Sequence, residues 1–441
     1  MAPRPLPSTG AVTGLLETIG FFRDPDFARR RFERFGNVFE TRLLGQPTVF
    51  VRGGRAIGDL LAQPQASEGW WPASVRVLLG SRSLANRNGP GHRARRRVVG
   101  QLFAAAALRR YTPGIVALVD ELVAELQTAQ APVPLADRLR RFAFAVIAGV
   151  VLGLEGDDRE ALFQDFELWT QALFSLPLAL PGSPFARALQ ARTRLLARLK
   201  QVLTRQPLPG GLDLLSGGLD ENGLPLDDDD LVDQLLLLLF AGYETTASSL
   251  SCLMAAVLQH PELTPWLQAE LADLPWPPGE REVAAAPRLE ALVSEVMRLN
   301  PPVGGFFRRT TADVVLDGVA VPAGRVVQVA LAASNRLHSD GSHDDDLDRF
   351  RPQRHLDGDP GLTLLPFGGG ERVCLGKALA ELEIRLMAVG LLRQVSLQLL
   401  PDQDLSLRLM PSPSPRDGLL VLPSTRPGPR PQPAGTPPLR G

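Results

Sequence analysis

Residues 231–259 form an apolar stretch with five successive leucines, Leu235 to Leu239, and few charges. A run this long and this apolar has to be a helix surrounded on all sides, by lipid or by protein. Its middle decides between the two. Tyr243-Glu244-Thr245-Thr246 places a carboxylate where hydrocarbon would make it costly. We therefore expect a long helix through the centre of a soluble protein, with the rest of the chain wrapped around it. Asp227 to Asp230 come just before the apolar run, where the positive end of a helix dipole favours acids.

The chain has 441 residues, enough to bury a large core around such a helix. Lys and Arg number 47 against 48 Asp and Glu, a net charge of −1, so nothing global points to nucleic acid or an acidic membrane. Two cysteines cannot build a disulfide framework, and the composition suits a reducing cytoplasm. The first residues, Met1-Ala-Pro-Arg-Pro-Leu-Pro-Ser-Thr-Gly10, hold no apolar core of signal or anchor length, so no membrane anchor is expected.

Residues 10–36 read as a short amphipathic entry segment. Val38 to Leu43 and Thr48 to Val51 alternate like a hairpin across Gly45-Gln46-Pro47. Residues 91–205 are mainly helical in pattern, with breaks expected at Thr112-Pro113-Gly114 and Leu180-Pro181-Gly182-Ser183-Pro184. Residues 206–226 read as a loop. A helix is expected from Pro287 to Leu299, stopped by Pro301-Pro302. Val314 to Leu316, a turn at Asp317-Gly318, and Val326 to Leu331 make a β-rich piece, and residues 341–356 an irregular polar meander. We expect one domain over residues 1–423, mainly α with small segregated β-sheets. Residues 424–441, rich in Pro, Gly and Arg, are expected to be a disordered tail.

The chemistry is concentrated in Phe367-Gly-Gly-Gly-Glu-Arg-Val-Cys-Leu-Gly376, a glycine-broken loop that runs straight into a helical pattern at Lys377. A thiolate just before a helix start is favoured by the dipole and by free backbone N–H groups, which also tune its basicity toward a metal. Gly370 and Gly376 let backbone pass close to a flat ligand. The pattern F-x-x-G-x-R-x-C-x-G resembles the haem-binding signature of cytochrome P450. That resemblance implies the cytochrome P450 fold, with haem b between the long central helix and the helix after the cysteine loop. It implies Cys374 as the axial ligand of iron, Phe367, Gly370 and Gly376 around it, and Arg372 on a propionate. His92 and Arg96, at i and i+4 on one helix face, and Arg308 match further propionate partners.

Other motifs stand in the order the family has them. Ala241-Gly242-Tyr243-Glu244-Thr245 is similar to its oxygen-activating A-G-x-E-T. A threonine hydroxyl there can take a backbone carbonyl out of the helix ladder, Gly242 leaves room for a small ligand, and Glu244 with Thr245 can relay protons. Glu295 and Arg298, three apart, with Arg354 resemble the family's buried ion-pair triad, a structural device. His338-Ser-Asp340 departs from H-x-D-P by having Gly341 in the proline position. Arg93, Arg95, Arg96 and Arg97 read as a basic patch for an acidic electron-transfer partner. Cys252 reads as a small core residue, and His260, His343 and His355 carry no usable signal.

Three stretches resemble the retinoid-hydroxylating branch of the family, meaning the animal retinoic-acid hydroxylases and their soluble bacterial relatives. They are Trp71 to Gly80, Leu173 to Leu178 and Asn300 to Arg308, with Tyr243 where that branch often has histidine. The candidate pocket residues are Trp71, Arg76, Phe174, Ala241, Val303 and Phe306. Gly304-Gly305 would open a slot beside them, and Arg76 could meet a carboxylate. The expected function is a haem-thiolate monooxygenase that inserts one oxygen atom of O2 into a C–H bond of an apolar molecule, a retinoid or apocarotenoid. Its rivals are hydroxylation of a fatty acid, terpenoid or steroid, a haem-thiolate isomerase, and a haem-based gas sensor. The chain leaves no room for a fused flavin reductase, so a separate ferredoxin and reductase would supply electrons.

Overall fold

The computed structural model describes residues 2–426, apart from residues 11–13, 25, 44, 174, 176, 273, 280, 283, 284, 359, 360 and 363. Two short helices, α1 (Gly14–Arg23) and α2 (Phe27–Phe35), lean on the expected hairpin of β1 (Val38–Leu43) and β2 (Gln46–Val51). Phe27, Phe32, Phe39 and Phe50 make a small aromatic core there, with Phe39 and Phe50 stacked at 5.3 Å. After α3 (Gly54–Leu61), β3 (Ser67–Gly69) and α4 (Ala73–Leu79) the chain turns helical, through α5 (Gly89–Gly100) and α6 (Ala105–Thr128). Next come the two-residue strand β4 (Val133–Pro134), α7 (Leu135–Phe144), α8 (Gly156–Thr170) and α9 (Pro184–Leu203). A π-helical segment, Ala145–Val151, continues directly from α7.

One expected break does not occur. Helix α6 runs through Pro113 without stopping, and Thr112 Oγ1 donates to Leu108 O at 2.9 Å. Its buried stripe from Ala107 to Leu126 packs into the main core. That tertiary burial offsets the roughly 3 kcal/mol an interior proline costs a helix. The break near Pro181 is real, and Ser183 caps α9 by accepting from Ala186 N–H at 3.1 Å.

The apolar run forms α10 (Asp228–Gln259), capped by Asp227, which accepts from Asp230 N–H at 2.8 Å. It is the one unbroken helix among the described residues long and apolar enough to cross a membrane. Within its most apolar window, 72% is buried inside the protein, the mark of a core helix. Leu235, Leu236, Leu239 and Leu250 sit with residues of α6, α7 and α9 in one continuous core. Helices α11 (Leu263–Leu271) and α12 (Pro287–Leu299) follow, the second with the bounds read from sequence.

The strands β5 (Gly305–Thr310), β6 (Val314–Leu316), β7 (Val319–Val321) and β8 (Val326–Ala330) come next. Asp317 and Gly318 turn between β6 and β7 with φ of 48° and 73°. A five-stranded sheet has the order β1-β2-β8-β5-β3, with β2 and β8 parallel. The cysteine loop leads into α13 (Lys377–Gln394), followed by β9 (Val395–Leu399), β10 (Leu407–Arg408), β11 (Ser414–Pro415) and β12 (Leu420–Thr425). Strand β12 sits between β4 and β9, and Thr425 pairs with Val395. The folded unit therefore reaches two residues past the boundary expected at 423. Residues 427–441, the rest of the expected tail, lie outside the described residues.

Candidate active site

Backbone hydrogen bonds close the loop that carries Cys374: its N–H donates to Phe367 O at 2.9 Å, and Val373 N–H donates to Gly370 O at 3.1 Å. Gly370 takes φ +67°, which glycine adopts without strain. Gly376, with φ −87°, has no such need, and a Cβ there would stand nearest Phe103, at 3.4 Å. The thiol is accessible yet recessed. Burial raises its pKa, while the Gly376 N–H and the charges of Arg96 and Lys377 oppose the rise. A donor aimed at sulfur just before a helix start is the setting a thiolate metal ligand requires.

Helix α5 and strand β5 bring cations to the same place. His92 and Arg308 line, with Arg372, a cavity of about 520 Å³. Arg96 donates to Val373 O at 2.7 Å and ties α5 to the cysteine loop. Arg308 packs over the Phe306 ring at 4.6 Å and donates to Phe307 O at 2.9 Å. Arg372 donates to Arg87 O and Asn88 Oδ1. Glu68 and Glu371 line the cavity too, yet neither forms an ion pair with these four among the described residues. Burial, with the charges of Arg372, Arg96, Arg308 and Arg93, lowers His92 to about 4, so its imidazole is neutral at physiological pH. Burial and Arg372 push Arg308 down to about 10. Cations that repel one another and have no directly paired acid among the described residues suit an anion, although Glu371 and Glu68 partly offset the charge of Arg372. This donor set fits haem b, with a thiolate for iron and guanidiniums plus a neutral imidazole for two carboxylates.

On α10, Thr245 Oγ1 donates to Ala241 O at 2.7 Å, the carbonyl capture expected from sequence. Ala241 is exposed on a helix that is otherwise largely buried. Gly242 has a different reason from the one expected. A Cβ there would stand 3.1 Å from Ile147 in the π-helical segment, so the glycine serves helix packing. Glu244 is buried, and Arg140 Nη2 of α7 pairs with its Oε1 at 3.1 Å. The same Arg140 reaches Glu167 of α8 at 3.1 Å, and Tyr243 donates its hydroxyl proton to Glu167. Phe144, Phe163 and Phe166 stand edge-on around the Tyr243 ring. Burial raises the Glu244 pKa against the lowering charge of Arg140. Glu244 and Thr245 are consecutive, about 100° apart around the helix, and no hydrogen bond joins them among the described residues.

Glu295, Arg298 and Arg354 are brought together and buried. Arg298 Nε meets Glu295 Oε2 at 2.8 Å, and Arg354 Nε meets Glu295 Oε1 at 3.1 Å. Arg298 also donates to Asn335 O and Leu347 O, and Arg354 to Asp346, which locks the polar meander onto α12. Reading the sequence missed His355, whose Nε2 lies 2.8 Å from Glu295 Oε2. Its place next to Arg354 was the available signal. Burial alone would raise the Glu295 carboxyl, but bonds from Arg298, His355 and the Arg351 N–H hold it at about 2. Arg140 and Glu167 were also missed, and nothing local marks them. At the H-x-D-P departure, Gly341 takes φ +89°, closed to proline, while His338 pairs with Asp344 at 2.9 Å.

The pocket candidates divide. Trp71 packs partly buried against the main core, Val303 is 43% exposed, and Phe306 packs against the core beneath the large sheet. Phe174 lies outside the described residues. Arg76 lines a separate cleft against α9. Gly304 has open space around it, but a Cβ on Gly305 would stand 2.1 Å from Val329 O. Gly305 is therefore required by the β5–β8 pairing, and the expected two-residue slot shrinks to one position. The basic patch also shrinks. Arg93 and Arg97 are exposed, but Arg95 is buried and paired with Asp230 at 2.6 Å and with Glu221.

Residues 5–426 match the family model described as Cytochrome P450. A putative cytochrome P450 120 of Synechocystis is 37% identical over 421 residues, covering 92% of this chain and 93% of that protein. Cytochrome P450 26B1 of Danio rerio is 32% identical, covering 84% of this chain and 77% of its own length. A solved structure titled as retinoic acid-bound cyanobacterial CYP120A1 superposes with a TM-score of 0.88 at 34% identity. It covers 96% of this chain and 100% of its own. On motif order, fold and similarity alike, the chain belongs to the cytochrome P450 family, monooxygenases whose haem b is held by a cysteine thiolate.

Proposed function

We propose that this monooxygenase acts on a retinoid or a similar apolar polyene with one polar end. The observation that carries the reading is the likeness to the retinoic acid-bound structure, at a TM-score of 0.88 over 96% of the chain. The net reaction takes substrate, O2, two electrons and two protons to hydroxylated substrate and water. When bound, haem b supplies the activation of dioxygen.

The chain's own residues do the rest. Cys374 would hold the iron through Sγ, with the Gly376 N–H setting the basicity of the sulfur. His92, Arg96, Arg308 and Arg372 would orient the propionates. Protons would enter at Glu167, whose side chain is 31% exposed, and reach Glu244 under the control of Arg140. Thr245 would hold the last proton at Oγ1, which it can release only by trading its bond to Ala241 O. The exposed Arg93 and Arg97, on the helix that Arg96 ties to the cysteine loop, suit an acidic ferredoxin. Two unpaired cysteines suit the reducing cytoplasm as its location.

The test is a titration of the purified haem protein with retinoic acid and with a saturated fatty acid of similar length. Retinoic acid should shift the Soret band from low to high spin at micromolar concentration, on the order of 8 kcal/mol of binding. A fatty acid that binds as tightly, or no retinoid response, would refute the substrate assignment and leave the monooxygenase in place.

A further inference from the structure

A second concavity among the described residues is larger than the cation-lined one. It measures about 860 Å³, lies between α4, α9 and the start of α10, and shares no lining residue with the cavity at Arg308. Its size is ample for a small ligand. Val77, Leu196 and Val232 give it an apolar side, and Val77 is 51% exposed although the opposite face of α4 is buried.

The charges around it do not cancel. Arg76, Arg82, Arg192 and Lys200 line the cleft, against Asp229 and Asp233. Arg192 pairs with Asp233 at 2.7 Å, Lys200 with Asp229 at 3.1 Å, and Arg82 with Asp227. Arg76 is left over. It is exposed, and its guanidinium makes no hydrogen bond or ion pair among the described residues. Among the described residues the cleft thus offers one free cation beside apolar surface.

The walls are also held together. Arg192 Nε donates to Leu78 O at 2.9 Å while its Nη2 holds Asp233, so one side chain joins α4, α9 and α10. Gly80 makes this possible. A Cβ there would lie 2.2 Å from Asp233 Oδ2 and 2.4 Å from Arg192 Nη2.

We propose that this cleft is a docking site for an amphipathic monocarboxylate, with the carboxylate on Arg76 and the apolar chain along Val77, Leu196 and Val232. A single negative charge matches the single free cation, and a chain with no further polar groups matches the apolar wall. The cleft shares no lining residue with the cation-lined cavity, and the proposal rests on the retinoid assignment only in the choice of one probe. A retinoid acid and a fatty acid share the required chemistry.

The experiment uses haem-loaded protein whose iron is saturated with the azole ligand clotrimazole, which closes the inner pocket. Equilibrium dialysis then measures binding of retinoic acid, hexadecanoic acid, retinol and hexadecanol. At least one of the two acids should still bind, at one molecule per chain, with its alcohol counterpart roughly tenfold weaker. Arg76→Glu and Val77→Asp should each weaken the acid by about tenfold or more, while azole affinity, read from the Soret band, stays unchanged and reports intact folding. Whichever acid binds identifies the source. If the blocked protein binds neither acid, binds alcohol as well as acid, or ignores both substitutions, the proposal fails. The unblocked Soret titration answers the retinoid question separately. A retinoid shift with no second molecule bound defeats the cleft alone, and hexadecanoic acid in the cleft with no retinoid shift defeats the substrate assignment alone.

Discussion

Arg298 and Arg354, under the meander, and Arg308 and Arg372, beside the cysteine loop, are the same side chain in two kinds of surroundings. The first pair is no more than 1% exposed, and its donors meet carboxylate or carbonyl oxygens. Glu295 answers both charges, and His355 joins from a third side. The second pair has backbone and amide oxygens but no bonded carboxylate among the described residues; burial and Arg372 depress Arg308, while burial and Arg96 depress Arg372 against the weaker lift from Glu371 and Glu68. A satisfied network holds a fold in one arrangement. An unsatisfied cluster costs stability, and it persists because something else answers it. Histidine follows the same division, with His355 bonded to Glu295 and His92 lowered to about 4 among cations.

The comparison breaks most visibly if one member of the satisfied network is removed. Arg298→Ala strips Glu295 of one buried partner and leaves Asn335 O and Leu347 O without their donor, so denaturant unfolding should show a loss of about 3–5 kcal/mol. A loss under about 1 kcal/mol would mean that the network is no more than a surface pair in effect.

A pH series sharpens the same point. Glu295 has a folded pKa of about 2 against an ordinary value of 4.5. A depressed carboxyl contributes its stability above the ordinary value and loses it as pH falls through the folded one. The shift corresponds to on the order of 3 kcal/mol. The stability gap between the native protein and Glu295→Gln should therefore narrow as pH falls from about 4.5 to about 2. A constant gap across that window would place the Glu295 contribution elsewhere.

Between these two extremes stands the Glu244 cluster, where one arginine answers two acids. Arg140→Met removes the charge that opposes burial, so the Glu244 pKa should rise further. A carboxyl with a raised folded pKa loses its stabilising contribution as pH climbs through that value. The variant should therefore be least stable at alkaline pH, by about 1–3 kcal/mol relative to the native protein. Equal losses at acid and alkaline pH would show that Arg140 acts only by packing on the Tyr243 ring, which its guanidinium overlies at 4.9 Å.

How much of this was legible in sequence follows the distance over which each cause acts. Helix α12 was read to its bounds because its apolar face, Pro287 and Pro301 are all local signals. The cysteine loop was legible because its motif is contiguous. Arg140 was not, since it meets Glu244 across 104 residues and nothing near it marks that partner. Gly242 and Gly305 were recognised as meaningful but for the wrong neighbour. Ile147 and Val329 O, which a Cβ would strike, belong to other elements. Arg95 looked like part of a basic surface because four arginines fall within five positions. Its facing is set by Asp230 at the start of α10, which no local pattern announces. Pro113 shows the converse, a strong local signal overruled by burial of the helix around it.

The smallest effect should come from the unsatisfied cluster, and its sign carries the argument. At neutral pH Arg308 bears a charge that burial and Arg372 both penalise, which is why its pKa is pushed down to about 10. Arg308→Gln removes that penalty and keeps a donor for Phe307 O, while losing the contact with the Phe306 ring. These nearly offset, so the haem-free protein should change by less than about 1 kcal/mol, in the stabilising direction if either. The His92 pKa, read by NMR on the haem-free protein, should rise, because one of the cations lowering it is gone. Haem retention against a competing apo-globin should fall, since a propionate would lose a guanidinium. The contrast with Arg298→Ala is then complete, with one arginine holding the fold and the other holding the ligand. If Arg308→Gln instead destabilised the haem-free protein by several kcal/mol and left His92 unmoved, the cluster would be structural and the division between the two arginine pairs would collapse.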